Sequence, residues 1–461
     1  MRSLPLVSAL TLITLVSSAA AHPGLRKTPW LMDVRTGELT VMVERQEPGP
    51  VTVRLVPIRA ANQPASREGE VVTESRDSLA LHEVTVRGLR PATAYRYEVR
   101  GPGLSPFEAR VATAPEAQPF VPTRFIVYGD TRSRAAQHRA IVQAIVARAP
   151  DWVLHTGDLL DDGRDERQWQ SFFEIEAPLL DHTPWLAVVG NHELVRPSST
   201  GLDHFRRYVH CEPSSPSPEI DTTFSWANVF VVAVNAYDDF SDVTKMQWLE
   251  RALAQARHDA DESHGWLLFA SHWGPRSSGP HGDNRPFRRV NMDAVLRRHR
   301  VDLVISGHDH AYERGDDQGL RYLVSGGGGA PLYRQRHDNA HSRIYERAYH
   351  FVQIDVTHER LVITAIRPDG SALDRCGLRH DTGWDCDPPP WQRPHTVPGP
   401  DGGTSVEVFA SNSQGNCRCS AVSRAGPTRA WLGVLVTLVG LLMGLRKSRT
   451  GTRDVVYRSP R

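Results

Sequence analysis

Five apolar runs between residues 124 and 310 break off at the same kind of point. RFIVYG is followed by Asp130, DWVLHTG by Asp158, PWLAVVG by Asn191 and His192, WLLFAS by His272, and VDLVISG by His308. Runs this short and this apolar read as strands buried on both faces. Helical stretches such as RAAQHRAIVQAIVARA and MQWLERALAQARHD lie among them. Strands alternating with helices define an α/β architecture. The polar residues then fall at the carboxyl ends of strands, the edge at which open α/β sheets bind ligands.

The groups gathered there are two carboxylates, one amide and several imidazoles, without a thiolate. Such oxygen and nitrogen donors suit zinc, manganese or iron. One aspartate can bridge two ions with one oxygen each. His308 and His310, two residues apart, would point to the same side of an extended segment and reach different ions, with Asp309 turned away. Two ions about 3.5 to 4 Å apart clamp a displacement at phosphorus and lower the pKa of a water.

The order GD…GD…GNHE…H…GHDH resembles the calcineurin-like metallophosphoesterase superfamily. VDLVISGHDHAYER and YLVSGGGGAPLY, behind a β-rich front, look most like its purple acid phosphatase branch. The resemblance covers roughly residues 28 to 375. It implies an αββα sandwich, two divalent or trivalent metal ions (iron, zinc or manganese) and a small phosphate ester as substrate. Carried over by position, Asp130 and His310 match ligands of a first metal. Asp158 matches the bridging carboxylate, and Asn191, His272 and His308 match ligands of a second. His192 matches the catalytic histidine beside the leaving group, a role its ordinary pKa suits.

Two positions depart from the pattern. Arg132 stands where the wider superfamily often has a histidine; its guanidinium fork would clamp phosphate. Asp161 stands where the purple branch has a tyrosine, so the expectation is a colourless protein, with Asp161 or His138 as stand-ins at the first metal. His281, in the loop SSGPHGDNRP, is a further substrate-binding candidate. His155 reads as a packed strand end. Gly326 to Gly329 lack the strand-GxxxxGK-helix setting of a phosphate loop and read as a tight turn beside the site.

The rest of the chain frames this domain. Residues 1–21 read as a secretory signal peptide, with Arg2 ahead of an apolar stretch and Ala19 to Ala21 at the cleavage point. Residues 28–116 alternate apolar and polar at period two, an all-β sandwich resembling fibronectin type III, with Tyr95 at its corner. ATAPEAQPFVPT reads as a linker into the metallophosphoesterase domain, residues 122–375. A Pro/Gly/Ser-rich stalk is expected over 376–428. Residues 430–445 form an apolar run, short for a spanning helix. Residues 446–461 open on basic residues. This tail resembles the C-terminal sorting signal of many myxobacterial surface proteins; its plainer reading is a transmembrane anchor. Both place the domain outside the cytoplasm, at the surface or released, and export allows Cys376 and Cys386 to clip a short loop. A formal net charge of +1 offers no strong attraction to nucleic acid.

Two classes of function remain open at this level. One is hydrolysis of phosphate esters, monoesters favoured, with a phosphodiesterase or nucleotidase as variants. The other is a non-catalytic surface binding protein on a degenerate metallophosphoesterase scaffold.

Overall fold

The structure is a computed structural model that describes residues 22–58, 70–75, 77, 79–119, 121–194, 200–209, 220–357 and 359–386, with two strands at 395–398 and 405–408. The expected signal peptide, the segment 430–445 and the basic tail lie outside the described residues, as do Cys211, Cys417 and Cys419. Among the described residues no helix is long and apolar enough to cross a membrane.

The front of the chain is two antiparallel sheets. Strands β1 (Trp30–Met32), β2 (Glu38–Glu44) and β5 (Leu81–Arg87) form one, in the order β1-β2-β5. Strands β3 (Val51–Pro57), β4 (Val71–Ser75), β6 (Ala94–Arg100) and β7 (Phe107–Ala112) form the other, in the order β4-β3-β6-β7. On β5, Val84 and Val86 alternate with half-buried or exposed neighbours, as a strand with one dry face must. The hydroxyl of Tyr95 accepts from the backbone N–H of Arg90 at 2.9 Å and pins the turn into β6.

The second region contains two seven-stranded mixed sheets. One is built from β8 (Thr123–Tyr128), β9 (Trp152–His155), β10 (Trp185–Ala187), β18 (Phe351–Val356), β19 (Leu361–Ile366), β20 (Ala372–Arg379) and β21 (Gly383–Asp385). The other uses β11 (Thr222–Trp226), β12 (Val229–Val234), β13 (Trp266–Ser271), β14 (Leu303–Ser306), β15 (Tyr312–Asp317), β16 (Leu320–Ser325) and β17 (Ser342–Glu346). Their orders are β10-β9-β8-β18-β19-β20-β21 and β11-β12-β13-β14-β16-β15-β17. The helices are α1 (Ala135–Val146), α2 (Glu166–Leu180), α3 (Thr200–Tyr208), α4 (Val243–Glu262), α5 (Arg285–Arg289) and α6 (Met292–Arg298).

The uninterrupted apolar runs are explained by burial on both faces. On β12, Val231 and Ala233 enter the core shared with the first sheet, while Val232 and Val234 pack with Trp248, Leu249 and Leu253 of α4. Trp152 of β9 stacks on Phe125 at 4.3 Å and meets Phe224 of the other sheet at 4.8 Å. An α/β region of two packed sheets with helices behind a β-rich front is therefore present.

The residues between β7 and β8 join two regions that pack against each other. The β-rich front packs on the α/β region, and the described residues up to 386 form one compact unit. All of β2 but its first residue is buried, because its second face meets the α/β region. Lys27, with no exposed side-chain surface, pairs with Glu44 and reaches Glu166 at 3.3 Å. Trp30 Nε1 donates to the Tyr208 carbonyl at 3.1 Å, and its ring lies 4.5 Å from Phe173.

The expected stalk boundary also moves. The first sheet runs past residue 375: β20 and β21 continue it, and a Cys376–Cys386 disulfide closes that hairpin. Further on, β22 (His395–Pro398) pairs antiparallel with β23 (Ser405–Val408), so part of the Pro/Gly/Ser-rich segment is strand.

His350 sits at the seam between the sheets. Its Nδ1–H donates to the Ala348 carbonyl at 2.9 Å, and Nε2 lies 3.2 Å from Ser325 Oγ. Burial lowers its pKa from 6.5 to about 4. The folded state thus refuses a proton that the unfolded chain takes. The resulting stability is complete above about pH 6.5 and is lost as pH falls toward 4, by about 3 kcal/mol at most. Urea unfolding at pH 7 and pH 4.5 should show this loss, and His350→Gln should flatten the slope. An unchanged slope in the variant would mean that other groups carry the acid sensitivity.

Candidate metal centre

The carboxyl ends of β8, β9, β10, β12, β13 and β14 carry the site. Within each sheet these strands run parallel to their neighbours in the group, so their ends share an edge. Three residues leave those strands with left-handed backbone, which side-chain-bearing residues rarely adopt: Asp130 at φ 56°, Asp158 at φ 53° and His308 at φ 69°. Each costs about 1 to 3 kcal/mol and is held by its surroundings. The backbone N–H of His308 donates to Asp130 Oδ2 at 3.0 Å. Gly307 permits that approach, since a Cβ there would lie 2.5 Å from Asp130 Oδ2. Gly190 does the same for the neighbouring turn, where a Cβ would lie 2.2 Å from Asp158 Oδ1.

The six expected ligands converge, and they divide as two sets sharing Asp158. Asp130, Asp158 and His310 offer donor atoms that all lie within 4.8 Å of one another. His310 Nε2 is 3.4 Å from Asp130 Oδ1, a buried oxygen with no hydrogen-bond partner among the described residues. On the other side, His272 Nε2 is 3.3 Å from Asp158 Oδ1 and 3.2 Å from His308 Nδ1. Asn191 joins this side through the hydroxyl of Tyr237, 2.9 Å from Asn191 Oδ1 and 3.4 Å from His308 Nδ1.

Backbone carbonyls fix two of the rings. His272 Nδ1 lies 2.7 Å from the Thr156 carbonyl, and His310 Nδ1 lies 2.7 Å from that of Pro331. A proton placed on each Nδ1 leaves Nε2 as a free lone pair, as in second-shell control of metal-binding histidines. A buried carboxylate oxygen without a partner, facing such lone pairs, fits a cation. The donors are all oxygen and nitrogen, in keeping with zinc, manganese or iron.

Burial would raise the Asp158 carboxyl, but His272 and His192 outweigh it and hold it well below the usual carboxylate range. Asp158 is thus anionic. Burial lowers the pKa of His308 well below the ordinary imidazole value, with His272 adding to the shift, so this ring is held neutral.

The i, i+2 spacing works by a different route from the expected one. The segment is not extended: Asp309 N–H donates to Gly307 O at 2.8 Å and Ala311 N–H to Asp309 O at 2.7 Å. Successive tight turns, rather than a strand, aim His308 and His310 at different sets. Asp309 does point away, accepting from Ser277 Oγ and, at 3.1 Å, from the backbone N–H of His281. That bond holds the loop whose His281 ring lies 3.9 Å from the His308 ring.

His192 is part-exposed. Its Nδ1 lies 2.6 Å from the Asp161 carbonyl, and Nε2 stays 3.7 Å from Asp158 Oδ2. Arg132 reaches Asp158 Oδ2 at 3.4 Å, Asp161 Oδ1 at 3.1 Å and His310 Nε2 at 3.4 Å. It therefore stands at the centre itself. Neither suggested stand-in ligand is confirmed. His138 turns to Glu176 at 2.6 Å, and Asp161 is tied to Arg132 and Ser133. His155 is buried against Thr131, as a packed strand end should be. The glycine run packs beside Asp130, with Gly328 N–H donating to the Gly129 carbonyl at 2.8 Å.

Two contributors escaped the sequence reading. Glu193, fully buried, accepts from the backbone N–H groups of Asp158, Leu159 and Gly190 at 3.1, 2.9 and 2.8 Å. Burial and the Asp158 carboxylate push it up to about 8. Tyr237 is the other, and it had a signal: it follows the apolar run VFVVAV three residues on, at the same strand edge as the rest.

Residues 123–312 match the family model described as Calcineurin-like phosphoesterase. The chain is 27% identical over 243 residues to a probable purple acid phosphatase of Arabidopsis thaliana, covering 51% of this chain and 55% of that protein. It is also 27% identical over 283 residues to a purple acid phosphatase of Glycine max, covering 58% and 60%. A phosphoenolpyruvate phosphatase of Allium cepa is 26% identical over 246 residues, covering 51% and 50%. The chain thus spans between half and three fifths of the length of these relatives. Among solved structures, purple acid phosphatase PPD1 of yellow lupin superposes with a TM-score of 0.65 at 18% identity, covering 76% of this chain and 73% of that one. PhoD superposes at 0.60 and 13%, covering 79% and 92%. The matched segment is thus similar to calcineurin-like phosphoesterases, the α/β region has a metallophosphoesterase-type fold, and the relatives of the chain include purple acid phosphatases.

Proposed function

We propose that the chain hydrolyses phosphate esters, phosphomonoesters first, at a binuclear centre held by Asp130, Asp158, Asn191, His272, His308 and His310. The observation that carries this reading is the meeting of all six at one strand edge, with Asp130 Oδ1 buried and unpartnered opposite His310 Nε2. Two cations, when bound there, supply polarisation of a phosphoryl oxygen and a water of lowered pKa. The chain's own residues do the rest. Asp158, kept anionic, presents one oxygen to each set. His272 and His310 are fixed in the ligating tautomer by Thr156 and Pro331. His192 turns Nε2 toward the substrate side and delivers a proton from it to the leaving alkoxide. Arg132 binds the phosphate oxygens by its fork, and His281 lies over the same mouth.

Turnover of p-nitrophenyl phosphate and of bis(p-nitrophenyl) phosphate, with zinc, manganese or iron added, tests the reading. Metal-dependent release from the monoester supports it, and faster release from the diester shifts it to a phosphodiesterase. No release with any of the three metals defeats it. Arg132→Ala should raise KM for the monoester about 10- to 100-fold while changing kcat less, because a ground-state phosphate contact is lost. A variant with unchanged KM removes Arg132 from the substrate site. The departures at Arg132 and Asp161 favour a second reading, a binding protein on a degenerate scaffold; a chain that takes up no metal would point that way.

We read the front sandwich as fibronectin type III-like, supported by its three- and four-stranded sheets and the Tyr95 corner. We also read the protein as exported and held at the surface by residues 430–445, supported by the apolar N- and C-terminal runs and the basic residues after the second. Cell fractionation of the full chain tests that placement.

A further inference from the structure

We propose that Tyr237 is an additional ligand of the cation held by Asn191, His272 and His308, so that a phenol oxygen enters the centre from the loop after β12. This rests on the metal-centre reading above.

The donor atoms on that side form a chain of short steps. Tyr237 Oη to Asn191 Oδ1 is 2.9 Å, Tyr237 Oη to His308 Nδ1 is 3.4 Å, His308 Nδ1 to His272 Nε2 is 3.2 Å, and His272 Nε2 to Asp158 Oδ1 is 3.3 Å. Donors bound to one first-row ion at about 2.0 to 2.2 Å sit about 2.8 to 3.6 Å apart across tetrahedral or octahedral edges. All four steps fall in that range. Asn191 and His272 were assigned to this cation from the motif order alone, yet neither is closer to its neighbours than the tyrosine oxygen is. Among the described residues the hydrogen-bond partners of that hydroxyl are Asn191 and His308, both candidate ligands.

The loop that presents the ring is tightly organised. Asn235 Oδ1 accepts from the backbone N–H of Tyr237 at 3.1 Å, and Asn235 Nδ2 donates to Asp238 at 2.6 Å. Asp221 accepts from Asn235 N–H at 2.8 Å and from Lys245 Nζ at 2.7 Å, and Lys245 also pairs with Asp238. A lysine, two aspartates and an asparagine thus hold a turn whose product is the position of one phenol. Preorganisation of this kind is what a ligand needs and a packing residue does not.

Coordination by this oxygen releases the phenolic proton to solvent, as ligands that bind deprotonated do. It would also reverse the expectation of a colourless protein. Asp161 removes the tyrosine of the purple branch from one side of the centre, and Tyr237 supplies one from the other.

The test uses the full chain stripped of metal and reloaded with ferric iron, with bound iron measured per chain beside the visible spectrum. The expected result is a broad charge-transfer band in the wild type that is lost in Tyr237→Phe. Tyr333→Phe, whose ring stacks on His310 at 4.1 Å, should keep the band. Tyr237→His, which returns a nitrogen donor, should bind iron as the wild type does but without the band. Iron uptake by the wild type with no band, or a band that survives Tyr237→Phe, overturns this inference alone. A wild-type chain that takes up no iron overturns the metal-centre reading as well.

Discussion

Asp158→Asn should lower turnover of a phosphomonoester by at least about 1,000-fold, a change of about 4 kcal/mol in the barrier, with the fold intact. The substitution keeps the shape and can still accept the backbone N–H of His192, now 3.1 Å from Oδ1. It removes the one charge shared by both donor sets, since Asp158 groups with Asp130 and His310 on one side and lies 3.3 Å from His272 Nε2 on the other. The amide cannot serve two cations through two anionic oxygens, so metal content should fall together with rate. Metal analysis and kinetics on the same sample check this. Turnover within tenfold of the parent would remove Asp158 from the bridging role.

Glu193→Ala should be the most damaging change outside the ligands. Its carboxyl oxygens take three backbone N–H groups from two different turns, those carrying Asp158 and Asn191. Removing it leaves three buried donors unpaired, at about 1 to 3 kcal/mol each. A loss of about 3 kcal/mol or more in urea unfolding of the metal-free protein is expected. Glu193→Gln keeps one acceptor oxygen and should lose less. Equal losses in the two would show that a single acceptor oxygen is not enough to hold the turns together.

The strand-end rule makes most of the centre legible in the sequence. Apolar runs bounded by glycine placed Asp130, Asp158, Asn191, His272, His308 and His310 at a common edge, and the two sheets put them there. What the rule could not show was how each side chain is aimed. His308 and His310 diverge through tight turns with a left-handed residue, a property of φ that residue identity does not carry. Glu193 looked like an unremarkable neighbour of the histidine in GNHE; its three bonds are to backbone, which has no pattern in sequence. His138 had the right chemistry for a ligand, but helix α1 turns it to Glu176. The packing of the two regions was not legible, because proline-rich composition reports local stiffness and says nothing about what the flanking parts bury against each other.

The dry cluster around Lys27 fixes the angle at which the β-rich front meets the α/β region. Lys27 and Glu44 have no exposed side-chain surface, and Tyr97 donates to the Asp181 carbonyl at 2.5 Å. Swinging the front outward would keep that pair together but part Lys27 from Glu166, 3.3 Å away, and Glu44 from Arg207, 2.9 Å away. Anything that grips the outer strands therefore also sets the orientation of the strand-end site, as a bracket sets the tool bolted to it.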